Sequence, residues 1–198
     1  MINARSGFVF IGRSGCGKGT QGKLLLEFLN KKQSRDDGVL YLETGDRFRE
    51  FIKSDAYSNQ LSRQVMVDAL PQPSFLAVWM WAHILVEELT ADHQTLILDG
   101  TPRSLIEAQA LDTAFKFYGF TELFVIHLDV SREWSRSHLL KRGRKDDNLP
   151  DIDKRLDWYE TDVVPALDFY INDPKYQYLK LNGEESMDEI HSAIIARL

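Results

Sequence analysis

A glycine-rich loop with a single lysine is the segment of this sequence best suited to phosphate chemistry. It runs Gly12-Arg13-Ser14-Gly15-Cys16-Gly17-Lys18-Gly19-Thr20 and lies between a short apolar run and an amphipathic helical pattern. Glycines allow consecutive backbone N–H groups to surround an anion, and the N-terminus of the following helix adds partial positive charge. We therefore predict that the phosphates of a nucleoside triphosphate are bound by Gly12, Ser14, Gly15, Cys16, Gly17, Lys18, Gly19 and Thr20.

The side chains of this loop allow more than one interpretation. Lys18 can reach the β- and γ-phosphates and Thr20 can place a hydroxyl near Mg²⁺, whereas in a simple glycine turn the lysine would only be solvated. The strand and helix patterns on either side favour the phosphate loop. Cys16 has no His or Asp close in sequence to activate it, so we interpret it as a small loop residue and not as a nucleophile.

Several arginines and one aspartate are further candidates for the same chemistry. Phosphoryl transfer spreads negative charge over the moving group, so the protein contributes positioning and charge neutralisation. The planar guanidinium group matches phosphate oxygens, and a carboxylate is the hard oxygen ligand that Mg²⁺ prefers. Taken singly, these residues could form surface salt bridges or cap a strand. The candidates are Arg49, Arg103, Arg142, Arg144, Arg155 and Asp99.

The elements that must position these residues form an α/β pattern. Short apolar runs at residues 8–11, 39–42, 95–98, 123–126 and 176–181 predict strands. Most are continuously apolar and are separated by helical patterns, which favours a five-stranded parallel sheet in a three-layer αβα sandwich. The helical patterns cover residues 18–31, 46–53, 59–70, 74–89, 104–117, 132–141, 151–171 and 188–197.

Local signals refine two of the helices. Ser74 is predicted to cap helix 74–89, with a buried stripe that includes Phe75, Trp79 and Val86, and Asp151 is predicted to cap helix 151–171. Pro165 should kink that second helix. Residues 43–94 separate the second and third strands, which is more chain than one crossover needs. We therefore expect an inserted helical subdomain beside the strand ends.

Composition limits the class of protein. The chain has 198 residues, 43% of them hydrophobic, which is enough for the core of one domain. Its net charge of −6 argues against broad affinity for nucleic acid or anionic lipid. Cys16 is the single cysteine, which excludes an intrachain disulfide and a cysteine-rich zinc site. We expect a cytoplasmic protein without a nucleic-acid or membrane partner.

Five motifs, taken in order, resemble the adenylate kinase family of nucleoside monophosphate kinases. They are Gly17-Lys18-Gly19-Thr20-Gln21, Thr44-Gly45-Asp46 with Arg49, Asp99-Gly100-Thr101-Pro102-Arg103, Leu139-Leu140-Lys141-Arg142-Gly143-Arg144 and Lys154-Arg155-Leu156. The resemblance covers nearly the whole chain. It implies a P-loop NTPase fold in which residues 1–198 form a single, monomeric kinase domain. Within that domain, it implies a helical insertion at 44–73 that binds the nucleoside monophosphate (NMP) and a short lid at 141–148.

The resemblance also implies a reaction and a role for each site residue. The reaction is reversible, Mg²⁺-dependent transfer of the γ-phosphate of ATP to a nucleoside monophosphate, with AMP as the first choice. Asp146 and Asp147 are expected to pair with arginines when the lid closes. The implied catalytic residues are Lys18, Arg103, Arg142, Arg144 and Arg155. The implied ATP contacts are the phosphate loop, His138 and Arg142. The implied NMP contacts are Thr44, Gly45, Arg49, Arg103, Glu107, Arg144 and Arg155. The implied Mg²⁺ contacts are Thr20 and, through water, Asp99.

Two departures from the family pattern bear on the substrates. Glu107 stands where relatives read adenine with a glutamine, and Gln109 follows two residues later. An ionised carboxylate only accepts hydrogen bonds, so Glu107 suits the N1–H and N2–H₂ groups of guanine better than adenine, with Glu43 as a second acceptor. GMP, CMP and UMP therefore stay open as acceptors. His138 replaces a donor-stacking arginine, which leaves the preference for ATP open as well.

Two functions of other classes also stay open. A non-catalytic nucleotide-binding module would bind ATP without transfer, but the presence of Lys18, Arg103 and Arg155 disfavours it. A small-metabolite kinase with the same phosphate loop is disfavoured by Thr44-Gly45-Asp46 and by the arginines. An assay with a panel of nucleoside monophosphate acceptors distinguishes these two functions from a nucleoside monophosphate kinase.

Overall fold

A five-stranded parallel sheet organises the molecule. The computed structural model describes residues 5–33, 38–144 and 147–198. The sheet order is β2-β3-β1-β4-β5, and every neighbouring pair is parallel, so the sheet predicted from the sequence is confirmed. Its strands are β1 (Arg5–Gly12), β2 (Val39–Glu43), β3 (Thr95–Asp99), β4 (Phe120–Asp129) and β5 (Tyr176–Asn182).

Helices cover both faces of the sheet, which explains the continuously apolar strands. The α-helices of the described residues are α1 (Lys18–Gln33), α2 (Thr44–Phe51), α3 (Tyr57–Val67), α4 (Ser74–Glu88), α5 (Leu105–Tyr118), α6 (Arg132–Arg142), α7 (Leu149–Trp158), α8 (Val164–Ile171) and α9 (Met187–Ile195). One core cluster joins the sheet to α4, α5 and α8, and a second joins it to α1 and α9. Neighbouring β1 residues divide between these clusters, Val9 in the first and Phe10 in the second. The three-layer αβα sandwich is therefore confirmed.

Helix α4 packs through a face that only partly overlaps the predicted stripe. Leu85, which also belongs to that stripe, is buried, but Phe75, Trp79 and Val86 are exposed, and Trp81 from outside the stripe is buried in the core. The helix is apolar on nearly every side, so its sequence period does not identify the packed face, and the contacts with the sheet and α5 decide it. The predicted cap was also wrong: Pro73 occupies the N-cap position and Ser74 is the first helical residue.

The long helix predicted over residues 151–171 is interrupted. Asn148, not Asp151, caps α7, because its side chain accepts a hydrogen bond from the backbone N–H of Asp151. A π-helical segment, Tyr159–Val163, then joins α7 to α8, and Pro165 lies in the first turn of α8. The irregularity expected near Pro165 therefore takes the form of π-helical turns just before it.

The predicted insertion and lid fall on recognisable elements. Residues 44–73 contain α2 and α3 and lie between β2 and α4. The segment 141–148 joins α6 to α7, and its residues 145 and 146 lie outside the described part of the chain. Within the described ranges, no helix is both long enough and apolar enough to cross a membrane.

Candidate active site

A cavity of about 410 Å³ opens at the carboxyl ends of the parallel strands. Gly12 ends β1 and Asp99 ends β3, and both line this cavity. Ligands of open α/β sheets bind in the crevice outside the carboxyl ends of the strands, where loop residues converge. The cavity brings together the phosphate loop, three residues of α2, the arginines of segment 141–148 and one face of α7.

The phosphate loop is folded around its own lysine. The Nζ atom of Lys18 donates hydrogen bonds to the carbonyl oxygens of Gly12, at 2.9 Å, and of Arg13, at 2.8 Å. The hydroxyl of Ser135, from α6, donates to the carbonyl of Ser14. The carbonyl oxygens of three consecutive loop residues are thereby held by protein donors. The Cys16 N–H donates to the Arg13 carbonyl at 3.2 Å, and other N–H groups of the loop can receive an anion.

Gly12 is required at the start of the loop by its backbone conformation and by the lack of space. Its φ is +150°, and a Cβ there would lie 2.5 Å from the carbonyl oxygen of Leu128. Cys16 is buried at 1% exposure and does not line the cavity, in agreement with its interpretation as a small loop residue.

Asp99 and Thr20 form the part of the cavity that fits Mg²⁺. Asp99 is buried at the end of β3, accepts a hydrogen bond from the Tyr41 hydroxyl at 3.1 Å and lines the cavity together with Thr20. A Cβ on Gly19 would lie 3.0 Å from Oδ2 of Asp99, so glycine at this position lets the carboxylate approach the loop. Within the described ranges, no three His, Cys, Asp or Glu residues form a metal site. An ion held by one carboxylate and one hydroxyl therefore needs water and substrate oxygens to complete its ligands, which is typical of Mg²⁺.

Two further arginines of the cavity converge on one point. A Cβ on Gly45 would lie 3.3 Å from Nη1 of Arg49 and 3.8 Å from Nη2 of Arg103. Both guanidinium groups therefore reach the space beside Gly45. Arg49 also donates to Glu43 at 3.2 Å and forms an ion pair with Asp46, and the Nε atom of Arg103 donates to the carbonyl of Gly100 at 2.7 Å. Burial raises the pKa of Glu43, and the neighbouring Asp46 acts in the same direction.

Asp147 gathers the arginines of the lid. Its side chain is fully buried, and it accepts hydrogen bonds from Nε and Nη2 of Arg142 and from Nη2 of Arg155, each at 2.9 Å. The backbone N–H of Arg144 donates to the same carboxylate at 3.1 Å. Burial acts to raise the pKa of Asp147, but these donors outweigh it and lower the pKa to about 2. The structure therefore contains the predicted pairing for Asp147, whereas Asp146 lies outside the described residues.

His138 is an exposed residue of the cavity lining. It lies on α6. Its imidazole stacks on the indole of Trp134, with ring centroids 4.8 Å apart and planes 10° apart. The stack leaves the other face of the imidazole available to a base.

Most of the predicted site residues line this one cavity. They are Gly12, Ser14, Gly15, Gly17, Lys18, Gly19, Thr20, Gly45, Arg49, Asp99, Arg103, His138, Arg142, Arg144 and Arg155. Cys16, Thr44 and Glu107 do not. Thr44 is buried at the start of α2, and its hydroxyl has no hydrogen-bond partner among the described residues.

Glu107 is turned away from the cavity and into the loop before α5. Its carboxylate accepts from the Thr101 hydroxyl at 3.0 Å and from the backbone N–H of Arg103 at 3.2 Å, and Glu107 is 4% exposed. Burial raises the pKa of this carboxylate, while the bonds from Thr101 and Arg103 act to lower it. To read a base, Glu107 would have to give up the contacts that hold the Thr101-Pro102-Arg103 turn.

Sequence reasoning missed Gln72 in the cavity lining. Gln72 lines the cavity with Met66, Ala69 and Leu70, and its amide is fixed by Ser62. The Ser62 hydroxyl donates to Oε1 of Gln72 and Nε2 donates to the Ser62 carbonyl, both at 3.0 Å. The signal in the sequence was its place between Pro71 and Pro73 at the end of the insertion. Gln72 is a neutral amide in an otherwise apolar wall.

Comparisons with known proteins agree with this geometry. Residues 10–175 match the family model described as adenylate kinase. The adenylate kinase of Parabacteroides distasonis is 30% identical, with 94% of each chain covered. Adenylate kinase 1 of a Nostoc species is 32% identical, with 96% of this chain and 97% of that protein covered. The adenylate kinase of Prochlorococcus marinus is 32% identical, with 89% and 90% covered.

Proposed function

This chain belongs to the adenylate kinase family and is a phosphotransferase, and we propose that it transfers the γ-phosphate of ATP reversibly to AMP with Mg²⁺. The observation that supports the proposal most strongly is that the phosphate loop and five arginines from four separate segments line one cavity. A nucleotide-binding module needs a phosphate loop alone. Arginines on the far side of that loop serve a second phosphate group.

The donor site is the phosphate loop with the rim at His138. The triphosphate is bound by the loop N–H groups and the N-terminus of α1, and Lys18 exchanges its two carbonyl partners for β- and γ-phosphate oxygens. The exposed imidazole of His138, backed by Trp134, stacks on the donor base. The loop fold is set by protein contacts before the nucleotide arrives, so little ordering accompanies binding.

The acceptor phosphate is bound where Arg49 and Arg103 meet above Gly45. Both guanidinium groups lie within 4 Å of the position of a Gly45 Cβ, so one phosphate can accept hydrogen bonds from both. Glycine at residue 45 leaves that volume free. The arginines hold the acceptor oxygen in line with the γ-phosphorus, so catalysis is positioning and charge neutralisation and no covalent enzyme intermediate forms.

The lid arginines neutralise the group in transfer. Arg142, Arg144 and Arg155 line the cavity between the donor and acceptor sites, and the buried Asp147 holds two of their side chains in a fixed arrangement. Donors aimed at the place where charge develops stabilise the transition state without reorganisation at the moment of reaction. Closure of this segment over both nucleotides would exclude water and suppress ATP hydrolysis.

Asp99 and Thr20 would hold Mg²⁺ in this site. The bound ion supplies charge neutralisation to the β- and γ-phosphates. The chain contributes the buried carboxylate of Asp99, kept in place by the Tyr41 hydroxyl, and the hydroxyl of Thr20. Asp99 would contact the ion through water.

AMP is proposed as the acceptor because of the wall that faces Arg49. Phe48, Met66, Ala69 and Leu70 provide apolar surface for a purine, and Gln72 provides an uncharged amide. After its bonds to Ser62, the amide retains one N–H and one lone pair, which match the N1 acceptor and N6 donor of adenine. GMP, CMP and UMP are the alternatives.

A coupled assay that offers ATP and Mg²⁺ with each of AMP, GMP, CMP, UMP and dTMP tests the proposal. We expect AMP to stimulate ADP formation most strongly, and Lys18→Ala to abolish the stimulation. If another monophosphate is the best acceptor, AMP is the wrong acceptor, but the chain is still a nucleoside monophosphate kinase. If no monophosphate stimulates ADP formation while ATP binds, the chain is a nucleotide-binding module; a response to a hydroxylated metabolite alone would make it a small-metabolite kinase.

A further inference from the structure

Arg13 belongs to the phosphate loop, but its side chain does not line the cavity. The guanidinium extends behind the loop to the carboxyl end of β4, where Nη1 donates to the carbonyl of Val130 at 2.8 Å and lies 3.7 Å from Oδ1 of Asp129. Only 17% of the side chain is exposed. A long cationic side chain that is this buried occupies one defined position.

The same guanidinium is anchored on the π-helical segment between α7 and α8. Its Nη2 atom forms an ion pair with Glu160, and its Cζ atom lies 4.5 Å from the centroid of the Tyr159 ring. A planar guanidinium stacked on an aromatic ring and paired with a carboxylate is geometrically specific, and lysine cannot reproduce it. Arg13 therefore joins the phosphate loop to Tyr159 and Glu160.

Tyr159 is itself fixed from its far side. Its hydroxyl lies 3.2 Å from Nε2 of His127, and Nδ1 of that imidazole lies 2.7 Å from the hydroxyl of Tyr178. His127 is on β4 and Tyr178 on β5, so the ring of Tyr159 is tied to the sheet. The π-helical turns let the helix present Tyr159 to Arg13 and His127 while Tyr159 and Val163 still line the cavity.

The contact between Arg13 and Tyr159 lies close in the structure to two residues of the proposed transfer site, Lys18 and Arg155. The carbonyl oxygen of Arg13 accepts one of the two backbone hydrogen bonds from Lys18. Arg155 lies four residues before Tyr159 on α7, which continues directly into the π-helical segment that the guanidinium of Arg13 contacts. A displacement of the Arg13 side chain would therefore shift the donor loop relative to the helix that bears Arg155.

We propose that Arg13 is a positioning residue that sets the distance between the phosphate loop and Arg155. The inference rests on the proposed function, because the distance matters only where a phosphoryl group passes between Lys18 and Arg155. Errors of about 1 Å in the placement of reacting groups cost about 100-fold in rate. Removal of Arg13 is therefore expected to lower kcat, and thermal unfolding measures its effect on stability separately.

The test compares Arg13→Ala, Arg13→Lys and Tyr159→Leu with the wild-type chain, by steady-state kinetics with ATP and AMP and by thermal unfolding. We expect Arg13→Ala to lower kcat by about 10- to 100-fold, with less than about threefold change in the KM for AMP. Arg13→Lys keeps the positive charge beside Glu160 but loses the planar group that stacks on Tyr159 and its paired N–H donors. We therefore expect its kcat to lie between that of Arg13→Ala and that of the wild type. The Arg13→Ala/Tyr159→Leu double variant should lose much less than the product of the single losses, because both remove one contact.

Arg136→Ala is the matched control. Arg136 donates to Asp153 at 2.9 Å, so it also joins a neighbouring element to α7 through a carboxylate, but among the described residues it forms no hydrogen bond or ion pair with the phosphate loop. Its removal should leave kcat unchanged. The proposal is overturned if Arg13→Ala keeps the wild-type kcat, if its loss is recovered fully by lysine, or if the double-variant losses multiply. Where Arg13→Ala does not fold, Arg13→Lys and Tyr159→Leu carry the same test. If the wild-type chain transfers no phosphate, the proposed function has failed and not this inference.

Discussion

The Nη2 atom of Arg155 lies 2.9 Å from Oδ1 of Asp147, and the same oxygen accepts from Nη2 of Arg142. A single buried carboxylate thus joins α7 to the end of α6 and sets the spacing of two arginines that line the cavity. Asp147 neutralises part of their mutual repulsion while no nucleotide is bound.

Asp147 should make the fold sensitive to acid. Its pKa of about 2 lies below the value near 3.9 of an unfolded chain, so its contribution is complete above about pH 4 and is lost as the pH falls towards 2. The contribution is about 2 kcal/mol. Urea unfolding between pH 2.5 and 6 should show a shallower acid decline for Asp147→Asn than for the wild type. Asp92→Asn, at an exposed aspartate, should follow the wild-type curve, and an identical curve for Asp147→Asn would contradict the prediction.

His127 should produce a second decline at higher pH. Burial lowers its pKa to about 4, below the value near 6.5 of an unfolded histidine. The unfolded chain binds this proton first, so stability is complete above about pH 6.5 and falls by about 3 kcal/mol as the pH drops to 4. His127→Gln should flatten this window, while His93→Gln, in a surface turn, should not. If NMR titration of His127 in the folded protein gives a midpoint near pH 6.5, the prediction is refuted.

Glu107→Gln separates two roles for this residue. The carboxylate holds the Thr101 hydroxyl and the Arg103 backbone N–H, so we expect its neutralisation to weaken the placement of Arg103 and to lower kcat/KM for AMP and GMP by the same factor, about 3- to 10-fold. The ranking of acceptors should not change. A shift in preference towards AMP would instead establish that Glu107 reads the base, as the family pattern suggests.

Gln72→Glu should change the acceptor preference. A carboxylate at this position keeps acceptors but loses the N–H that faces N1 of adenine, so kcat/KM for AMP should fall by about tenfold or more and that for GMP should fall less. Gln60→Glu, which makes the same exchange on the exposed face of α3, should leave both values unchanged. An unaltered AMP to GMP ratio in Gln72→Glu would show that the amide does not contact the base.

The sequence predicted the sheet from its runs of apolar residues and the phosphate loop from a short motif. Continuously apolar strands such as Phe8 to Ile11 predicted a doubly covered parallel sheet, and the glycine loop predicted the position of Lys18. In α4 the spacing of apolar residues did not identify the buried face. A helix that is apolar on nearly every side has no periodic pattern to show that Trp81 is buried and Trp79 is exposed. Packing against the sheet settles which face is buried.

Residues that act through distant partners could not be found from the sequence. Glu107 occupies the motif position of a base contact, yet the Thr101 hydroxyl, six positions earlier, draws its carboxylate inward. No role for Arg13 was predicted from the sequence, and its partner Glu160 is 147 positions away. Such contacts depend on the folded arrangement and leave no local signal.

The central claim is that phosphate passes directly between two nucleotides in this cavity. The most direct measurement is to follow the label from γ-³²P-ATP in the presence of AMP and Mg²⁺, with Lys18→Ala as the inactive control. The account predicts that the label appears as the β-phosphate of newly formed ADP, only when AMP is present and only with Lys18. Release of the label as inorganic phosphate, or no consumption of ATP in any combination, would contradict it.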